Sequence, residues 1–455
     1  MLWFFAKRYI KKYKPFVIWI TGSVWKTSCR MIIYQILKKY LKISSDDLLS
    51  MSSNKFLLNI YTSPKNFNWE YGLSLSILGI ENYSPSIFWL LKNLFLAFKI
   101  AFFWKKKYDV IILEYWIDHP WEMDFLLNIV KPHIGIITSV DKVHSQYFSN
   151  FDELLNEKAK LALYTKEVVF LNYDNHFVKK IYPLVRVDKF LFRTSDHKIK
   201  DDLQPDIWFV DYKVGKDDEF YIYSEADIYL KSQKFHIKTN LIGKENMGYI
   251  GVGLAILQIV AKRFDLSCNL WENLKLYFEL LPGRFSIFEW INDSIIIDSS
   301  YNAAPESMRK ILETSYNLKN KLFSDRKLIL VLWDMRELWT FSEQKHRELA
   351  GLVFNIADEV FLVGENMKKF LIDELEKIWF DMSKVKWFNN SIELGKFLKN
   401  KLNNTKEKYL IVFKGSQNTI FLEEAIKQIL KNKEETSKLP RQTERWIKKK
   451  AKSLL

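Results

Sequence analysis

The stretch VIWITGSVWKTS, residues 17–28, constrains the fold of this chain more than any other. An apolar, β-branched run leads through a turn of small residues to Lys-Thr-Ser at the start of an amphipathic segment. This pattern predicts a strand, a phosphate-binding loop and a helix. In such a loop, backbone N–H groups and the helix N-terminus surround a polyphosphate, a lysine neutralises its outer charge and a hydroxyl holds Mg²⁺. Gly22, Lys26 and Thr27 fit these roles.

Trp25 conflicts with this pattern, because the loop has a glycine before its lysine, where the backbone must touch phosphate. Other stretches also place Trp where a turn calls for Gly: NFNWEYG at 66–72, EYWIDHPWEM at 114–123 and VLWDMRELW at 331–339. Gly is 14 of 455 residues, roughly 3% against about 7% in average proteins, whereas Trp reaches 16. We therefore interpret these Trp residues as glycines encoded by UGA codons in the source organism. Three further residues are interpreted as ordinary packing residues: Trp3, Trp208 and Trp446.

Length and composition indicate a globular protein of two or three domains, since 455 residues exceed one ordinary core. The net charge of +15 is scattered except at the C-terminus. That tail has one Trp and no interleaving of aromatic with basic residues, so no nucleic-acid partner is expected. Cys29 and Cys268 lie far apart in the sequence, which favours a reducing, cytoplasmic location over a disulfide scaffold or zinc site.

Two apolar segments could be mistaken for membrane anchors. Residues 1–16 have apolar runs too short for a signal peptide, so they are interpreted as a lead-in to the first strand. Residues 87–104, IFWLLKNLFLAFKIAFFW, are interrupted by Lys92, Asn93 and Lys99. A buried amphipathic helix is the favoured interpretation of this segment, and a weak peripheral membrane contact is the alternative.

Strands alternate with helical segments along the rest of the chain, which predicts an α/β protein with mostly parallel, doubly wound sheets. Predicted strands are 110–113, 132–140, 168–172, 295–297, 328–332, 359–363 and 409–413, with an antiparallel patch over 207–239. A helix is predicted over 151–164, and a turn that leads into a helix is predicted over 241–260. A Pro-Gly pair marks a domain boundary near residue 282. We expect a central P-loop domain over 17–280, a Rossmann-like C-terminal domain over 281–430 and a basic tail, helical or frayed, over 431–455.

Two polar residues follow predicted strands. Glu114 ends one buried strand and His144 follows the next, and the carboxyl ends of parallel strands border the usual ligand crevice. Glu114 is thus a candidate Mg²⁺ ligand, with a cap of the following helix as the alternative. A lone His is usually structural, and Lys158 on the helix 151–164 would by default be exposed to solvent.

Eight motifs in order resemble the ATP-dependent Mur ligases: VIxITGSVxKTS, ILEYxIDHPxEM, the spacing from His144 to Lys158, LIGKEN, LPGR, IIDSSYNAAPESM, VLxDMRELx and FKGSQNTIFLEE. YNAAPESM and DMREL resemble the branch that joins D-alanyl-D-alanine to UDP-N-acetylmuramoyl-tripeptide. The resemblance covers about residues 17 to 430. In the family, glycine occupies the places of Trp19, Trp25, Trp69, Trp116, Trp121, Trp290, Trp333 and Trp339.

The resemblance implies a role for each matching residue in the central domain. Lys26 would bind the β- and γ-phosphates of ATP. Thr27 would bind the first Mg²⁺, Glu114 would bind Mg²⁺ as well, and His144 would hold the second Mg²⁺. Lys158 aligns with a lysine that the family carbamoylates, which would let it support the second metal. The remaining loop residues expected at ATP are Thr21, Gly22, Ser23 and Ser28, and Asn246 would meet adenine.

In the C-terminal domain the resemblance places Arg284 and Asp298 toward the nucleotide. The side expected for the amine substrate comprises Tyr301, Asn302, Lys414, Gly415 and Ser416. Two positions depart from the branch: Ser299 replaces a second Asp, and Glu245 replaces a His before Asn246. Both departures are expected to weaken nucleotide contacts.

The implied reaction is amide formation through an acyl phosphate, with UDP-linked muramoyl peptide and D-alanyl-D-alanine as substrates and ATP with Mg²⁺ as cofactors, in a monomer. Only sixteen residues precede the first predicted strand, so we expect the family's UDP-gripping domain to be absent, and a different carboxylate acceptor is the alternative. A genuine Trp25 would instead indicate an inactive relative that binds a nucleotide or a partner protein.

Overall fold

The computed structural model describes most of the chain: residues 1–41, 58–63, 70–81, 86–105, 107–141, 147–196, 204–268, 270–290, 293–415 and 420–453. Within these ranges no helix is long and apolar enough to cross a membrane. Contacts divide the chain into two compact units, which are described separately. The first comprises 1–213, 225–238 and 244–276, and the second comprises 214–224, 239–243 and 277–455.

A ten-stranded sheet forms the first half of the fold, in the order β10-β9-β8-β7-β6-β5-β4-β1-β3-β2. Its strands are β1 (Phe16–Thr21), β2 (Ile60–Thr62), β3 (Val110–Glu114), β4 (Ile134–Ile137), β5 (Val168–Asn172), β6 (Asp188–Phe192), β7 (Ile207–Gly215), β8 (Tyr223–Leu230), β9 (Gln233–Thr239) and β10 (Asn273–Leu276). The central strand β1 is buried along its whole length and pairs in parallel with β3 and β4. The carboxyl ends of these three strands therefore meet at one edge of the sheet.

In the part of the chain that the structure describes, eight helices accompany this sheet: α1 (Leu2–Tyr13), α2 (Lys26–Tyr40), α3 (Glu70–Leu78), α4 (Ile87–Phe102), α5 (Glu122–Ile129), α6 (Phe151–Tyr164), α7 (His176–Lys179) and α8 (Lys244–Arg263). Helix α2 follows β1 directly, as the phosphate-loop pattern predicts, and packs on α8. Gly253 of α8 permits this packing, because a Cβ there would lie 2.6 Å from Ile36 Cδ1. The close approach of α2 and α8 brings the residues at the start of α8 into the same unit as the loop.

The first sixteen residues do more than lead into β1. Their apolar residues recur at helical spacing, and α1 buries Leu2, Ala6 and Tyr9 in the core that covers one face of the sheet. The left-handed residue Lys14, with φ 46°, ends the helix. Trp3, which we expected to be a packing residue, is 43% exposed, so that interpretation was wrong.

A helix, α4, is present over Ile87–Phe102, within the segment 87–104 for which a buried amphipathic helix was the favoured interpretation. Helix α4 buries only one side, through Asn93, Ala97 and Ile100, and exposes large apolar side chains on the other. The sequence did not predict this exposed face. Helical spacing of apolar residues identifies an apolar side of a helix but does not show whether other parts of the protein cover it.

The second half of the fold is a six-stranded sheet in the order β11-β12-β16-β13-β14-β15, in which only the β11–β12 pair is antiparallel. Its strands are β11 (Ser286–Glu289), β12 (Ile295–Ser299), β13 (Lys327–Trp333), β14 (Glu359–Val363), β15 (Val385–Phe388) and β16 (Tyr409–Lys414). The helices are α9 (Pro305–Leu322), α10 (Ser342–Arg347), α11 (Leu349–Ile356), α12 (Asp373–Lys377), α13 (Ser391–Asn403), α14 (Glu423–Ile429) and α15 (Glu444–Ser453). The predicted α/β class with mostly parallel sheets is confirmed.

The basic C-terminal segment is docked rather than frayed. Helix α15 presents Lys450, and the turn before it presents Arg441, to the fully buried carboxylate of Glu423 on α14. Glu423 pairs with Arg441 Nη2 at 2.6 Å and with Lys450 Nζ at 2.8 Å. Both cations are 5% exposed, so the triad is desolvated and well paired.

We expect Glu423→Gln to lower the free energy of unfolding by about 3 kcal/mol, because it removes the carboxylate that pairs with the buried Arg441 and leaves Lys450 paired with Glu424 alone. Urea denaturation followed by circular dichroism measures this loss. Glu435→Gln is the control, since Glu435 pairs with Lys438, which is 65% exposed. Equal midpoints for the two variants would show that the triad does not hold the C-terminal segment.

Candidate active site

The phosphate loop lies between β1 and α2 and is held against the segment that follows β4. Ser23 N donates to Ser139 O at 2.9 Å, and Val24 N donates to Ser139 Oγ at 3.1 Å. Glycine is the only residue type that fits position 22, because a Cβ there would lie 2.0 Å from Thr138 Oγ1. The loop is thereby fixed in shape at the carboxyl edge of the sheet.

Trp25 adopts a conformation suited to glycine. It is the residue before α2 and has φ 68° and ψ −1°, in the left-handed region that bulky side chains avoid. Trp121 has the same φ at the start of α5, and Trp379 has φ 65° just after α12. Trp379 Cα lies in the turn that ends α12, where glycine is usual, and its side chain is 91% exposed. Sequence reasoning missed Trp379. The available signal was its place directly after a helical segment that ends in Lys-Ile, where a glycine commonly ends the helix.

Other Trp residues at family glycine positions lie in the cores. Trp19 within β1 and Trp290 after β11 are buried, and among the described residues neither indole N–H finds a hydrogen-bond partner. Leaving a buried donor unpaired costs about 1–3 kcal/mol. This cost and the positive φ of Trp25 support the glycine interpretation, which stays a prediction. The side chains of Trp69 and Trp339 lie outside the described residues.

Thr27 and Glu114, the residues expected at the first Mg²⁺, lie together. Thr27 Oγ1 donates to Glu114 Oε1 at 2.7 Å, across the gap between the start of α2 and the end of β3. A hydroxyl and a carboxylate oxygen in contact are hard ligands of the type that Mg²⁺ prefers. The residues present therefore fit a magnesium ion beside the phosphate loop.

Arg30 is a site residue that sequence reasoning missed. Its Nε donates to Glu114 Oε2 at 2.9 Å, and its Nη1 donates to Thr62 Oγ1 at 2.8 Å, with only 2% of its side chain exposed. Arg30 lies one helical turn after Lys26 and Thr27, so a lone arginine on that face of α2 was the available signal. This ion pair holds Glu114 toward Thr27 and argues against the alternative that Glu114 only caps a helix.

Lys26 and Lys158 approach the loop from different helices. Lys26 Nζ donates to Gly22 O at 2.7 Å, so its charge lies at the loop itself. Lys158 on α6 is fully buried, contrary to the default expectation for a lone lysine, and its Nζ donates to Ser23 Oγ at 2.9 Å. Burial, and secondarily the charge of Lys26, lower the pKa of Lys158 to about 7. The neutral form of an amine is the one that reacts with electrophiles, and a lowered pKa makes more of that form available near neutral pH.

The remaining expected residues of the first unit have mixed placements. Thr21 is buried, and its Oγ1 donates to Tyr115 O at 3.3 Å, so its side chain faces β3. Ser28 is half-buried on α2, and Asn246 is nearly buried in the first turn of α8. His144 lies outside the described residues. Within the described ranges no cluster of three or more His, Cys, Asp or Glu could hold a metal ion.

The second unit presents Asp298 at the end of β12. Its carboxylate is fully buried, Oδ1 accepts a hydrogen bond from Ser300 N at 2.9 Å, and Oδ2 has no hydrogen-bond partner among the described residues. Burial raises the pKa of Asp298 to about 6. A buried carboxylate with an unused oxygen can accept a hydrogen bond from a ligand hydroxyl. Nearby in this unit, the Arg284 guanidinium lies 4.7 Å from the centre of the Tyr301 ring.

Lys414 ends β16, next to β12. Its Nζ donates to Asn302 O and lies 3.5 Å from Ser299 Oγ. Burial and then the charge of Arg284 lower the pKa of Lys414 to about 7. Gly415 follows, where a Cβ would lie 3.1 Å from Ser300 O. Ser416 lies outside the described residues.

Sequence reasoning also missed that the C-terminal segment reaches these residues. Arg441 Nη2 donates to Ser300 O at 3.2 Å, and the Arg441 guanidinium lies 5.8 Å from the Tyr301 ring centre. No local pattern in the sequence links positions that are 141 residues apart.

The fold and site define a class of protein: a P-loop nucleotide-binding α/β unit, with a magnesium-competent Thr–Glu pair, followed by a second α/β unit. Family models agree with this class. The Mur ligase middle domain matches residues 20–250, and the Mur ligase glutamate ligase domain matches residues 283–417. The chain belongs to the Mur ligase family, whose members are ATP-dependent ligases that form amide bonds. The family resemblance in the sequence is thus confirmed.

Individual relatives share the same architecture. UDP-N-acetylmuramoyl-tripeptide–D-alanyl-D-alanine ligase of Rickettsia prowazekii is 25% identical over 382 residues, 82% of this chain and 70% of that protein. The MurF ligase of Thermotoga maritima, solved in complex with ADP, matches with a TM-score of 0.66 at 20% identity. The match covers 96% of this chain and 84% of the Thermotoga chain. MurF from Acinetobacter baumannii has a TM-score of 0.67 at 17% identity, covering 93% and 79%.

Proposed function

We propose that this chain is an ATP-dependent ligase that joins D-alanyl-D-alanine to UDP-N-acetylmuramoyl-tripeptide in peptidoglycan precursor synthesis. The observation that carries the ligase chemistry is the contact of Thr27 with Glu114 beside Lys26 at the phosphate loop. The names of the relatives from Rickettsia prowazekii and Borreliella burgdorferi support the choice of substrates.

The chemistry follows from the charges involved. A carboxylate is a poor acyl donor, so its oxygen attacks the γ-phosphorus of ATP, the bond to ADP breaks, and an acyl phosphate forms. The amine nitrogen then attacks the acyl carbon and phosphate leaves. Lys26 offsets the repulsion between the anionic carboxylate and ATP, and a bound Mg²⁺ would add to that effect at Thr27 and Glu114. Arg30 keeps Glu114 in place.

Carbamoylation of Lys158 is part of the proposal. The amine of Lys158 is buried, lies next to the phosphate loop and donates to Ser23. Reaction of the neutral amine with CO₂ forms an N–C bond and releases a proton, which converts a lysine into an anion. Such an anion would compensate the positive charge of a second magnesium ion, for which His144 is the other proposed ligand. The proposal includes a monomer working in the cytoplasm, where ATP is made.

The nucleotide and amine sides are proposed from the second unit. Asp298 Oδ2, which accepts no hydrogen bond within the described part of the chain, is proposed to accept one from a nucleotide hydroxyl, and Arg284 to supply a positive charge for the nucleotide. Tyr301, Asn302, Lys414, Gly415 and Ser416 are proposed to face the amine substrate. Asn246 at the start of α8 is proposed to meet adenine.

With Gly at the eight family positions, the chain is expected to release phosphate from ATP only when an acceptor and an amine are both present. Phosphate release is measured with UDP-N-acetylmuramoyl-tripeptide and D-alanyl-D-alanine, together and singly. Omitting the amine is the control, since an acyl phosphate without an amine cannot turn over. Release no faster than with ATP alone would point to a different carboxylate acceptor.

An inactive nucleotide-binding relative is the second candidate, favoured by the one observation that Trp25 stands in the phosphate loop. The same assay separates the two candidates. Suppose that the chain, with Gly at position 25, binds ATP but shows no turnover with any carboxylate acceptor that is supplied. Only the inactive relative fits that result.

A further inference from the structure

An apolar surface on α1 and α4 contains none of the residues of the proposed reaction. Six side chains, here called the α1–α4 patch, form it: Phe4, Phe88, Leu91, Phe95, Phe98 and Phe103. Phe88 is 85% exposed, Phe103 73% and Phe95 60%. Large apolar side chains are rarely exposed together unless they meet a partner or a membrane.

The α1–α4 patch is continuous across the two helices. The ring of Phe5 links them, 5.7 Å from Phe4 and 6.1 Å from Phe98, and Phe98 lies 5.6 Å from Phe103. On α4, Phe88, Leu91, Phe95 and Phe98 follow at helical spacing along one face. None of the six residues is Trp, so the surface does not depend on how the Trp positions are encoded.

The two helices that form the patch carry charges of one sign. Residues 1–16 and 86–108 hold ten Lys or Arg and no Asp or Glu, in a chain that has 54 acidic residues. Lys92 and Lys99 are exposed on α4, and Lys99 Nζ lies 4.6 Å from the centre of the Phe95 ring. On α1, Lys7 and Lys11 are exposed beside the aromatic residues. Lysines at the rim of an apolar surface complement anionic phosphate headgroups.

The geometry fits a surface contact with lipid and not insertion across it. Helix α4 has 16 residues and spans about 24 Å, shorter than the roughly 30 Å hydrocarbon core, and it carries Lys92 and Lys99. Its other face is occupied, since Ala97 and Ile100 are buried in the protein core. The free face can enter only the headgroup and upper acyl region while the lysines stay at the phosphates.

We propose that the α1–α4 patch docks this protein on the surface of an anionic lipid membrane. The apolar residues supply the contact with acyl chains, and the surrounding lysines supply the selectivity for anionic headgroups. A protein or a second copy of the chain would need acidic groups to match this rim, and α1 and α4 themselves offer none.

Co-sedimentation of the full chain with vesicles tests the proposal. Vesicles of phosphatidylcholine with about 30% phosphatidylglycerol should retain the protein at low salt, and pure phosphatidylcholine should retain at least tenfold less. Raising the salt to about 0.5 M should release much of the protein, because screening weakens the headgroup contacts. No retention on the anionic vesicles, or equal retention on both, overturns the proposal.

The double variant F88E/F95E should bind the anionic vesicles at least tenfold more weakly. Both residues are exposed, so the variant should keep the unfolding midpoint of the parent, which circular dichroism checks. The matched control is Leu184→Glu with Tyr277→Glu, which adds the same two charges at exposed sites elsewhere and should bind as the parent does. Equal binding by F88E/F95E and the control overturns the proposal. So does a lipid-free dimer that F88E/F95E dissociates, because a second copy would then cover the patch.

Discussion

Replacing Trp25 with Gly is expected to tighten ATP binding to the recombinant chain by at least about 100-fold, which is roughly 3 kcal/mol. Two effects add. The left-handed φ of 68° strains the backbone of a bulky residue by on the order of 1–3 kcal/mol, and glycine adopts this φ without that strain. The indole also stands beside backbone N–H groups that must touch phosphate, and glycine removes it. Isothermal titration with ATP and Mg²⁺ measures the change.

Trp379→Gly is the matched control. Trp379 has nearly the same φ as Trp25, 65°, but belongs to the other unit and is not part of the phosphate loop. We expect this variant to raise the unfolding midpoint and to leave ATP affinity as it was. If both variants changed ATP affinity equally, the effect of Trp25→Gly would be one of general stability and not of the loop.

The protein from its native host decides how position 25 is encoded. Peptide mass spectrometry across residues 16–26 is expected to give the masses of Gly at positions 19 and 25. Two indole masses at these positions would contradict the recoding interpretation. The inactive relative would then be the better description of the chain.

Short stretches of the sequence were enough to predict the strands and helices that hold the candidate site. The strand Val168–Asn172 and the helix Phe151–Tyr164 were predicted to the residue, because a buried parallel strand is a continuous apolar run and the helix begins at an asparagine cap. The order of strand, small-residue turn and Lys-Thr-Ser likewise located β1, the loop and α2. Each of these signals is contained within about twenty residues of sequence.

What the sequence could not predict depends on residues far apart in the chain. The Arg30–Glu114 ion pair spans 84 positions, and the contact of Arg441 with Ser300 spans 141. Pairing of this kind is decided by which strands become neighbours. The exposed face of α4 belongs to the same class, since its periodicity shows one apolar side but not whether protein covers it.

Lys158 illustrates both limits. Its offset from His144 identified it by family resemblance, yet only the structure places its amine at Ser23 Oγ, 2.9 Å away and fully buried. A free lysine cation buried there would face the positive charge of Lys26. Carbamoylation would replace that repulsion by attraction, so the modification has a physical reason in this fold.

Lys158→Ala is therefore expected to lower the ligase turnover number by about 10²–10³-fold, roughly 3–4 kcal/mol of transition-state stabilisation. A short carboxylate such as acetate, or bicarbonate, should restore part of the activity by supplying the missing anion. Lys160→Ala is the matched control, because Lys160 lies on the same helix but pairs with Asp124 and Glu157 and is partly exposed. Full activity of Lys158→Ala would remove Lys158 from the site.

Carbamoylation itself can be observed without turnover. Because burial lowers the pKa of Lys158 to about 7, the neutral amine that reacts with CO₂ grows in fraction as pH rises through about 7. The ¹³C NMR signal of a carbamate, formed from labelled bicarbonate at fixed dissolved CO₂, should accordingly increase from about pH 6 to about pH 8. The signal should be absent in Lys158→Ala and present in Lys160→Ala. A carbamate that persists in Lys158→Ala would lie on another amine, and Lys158 would then act as a cation that holds Ser23 and the phosphate loop.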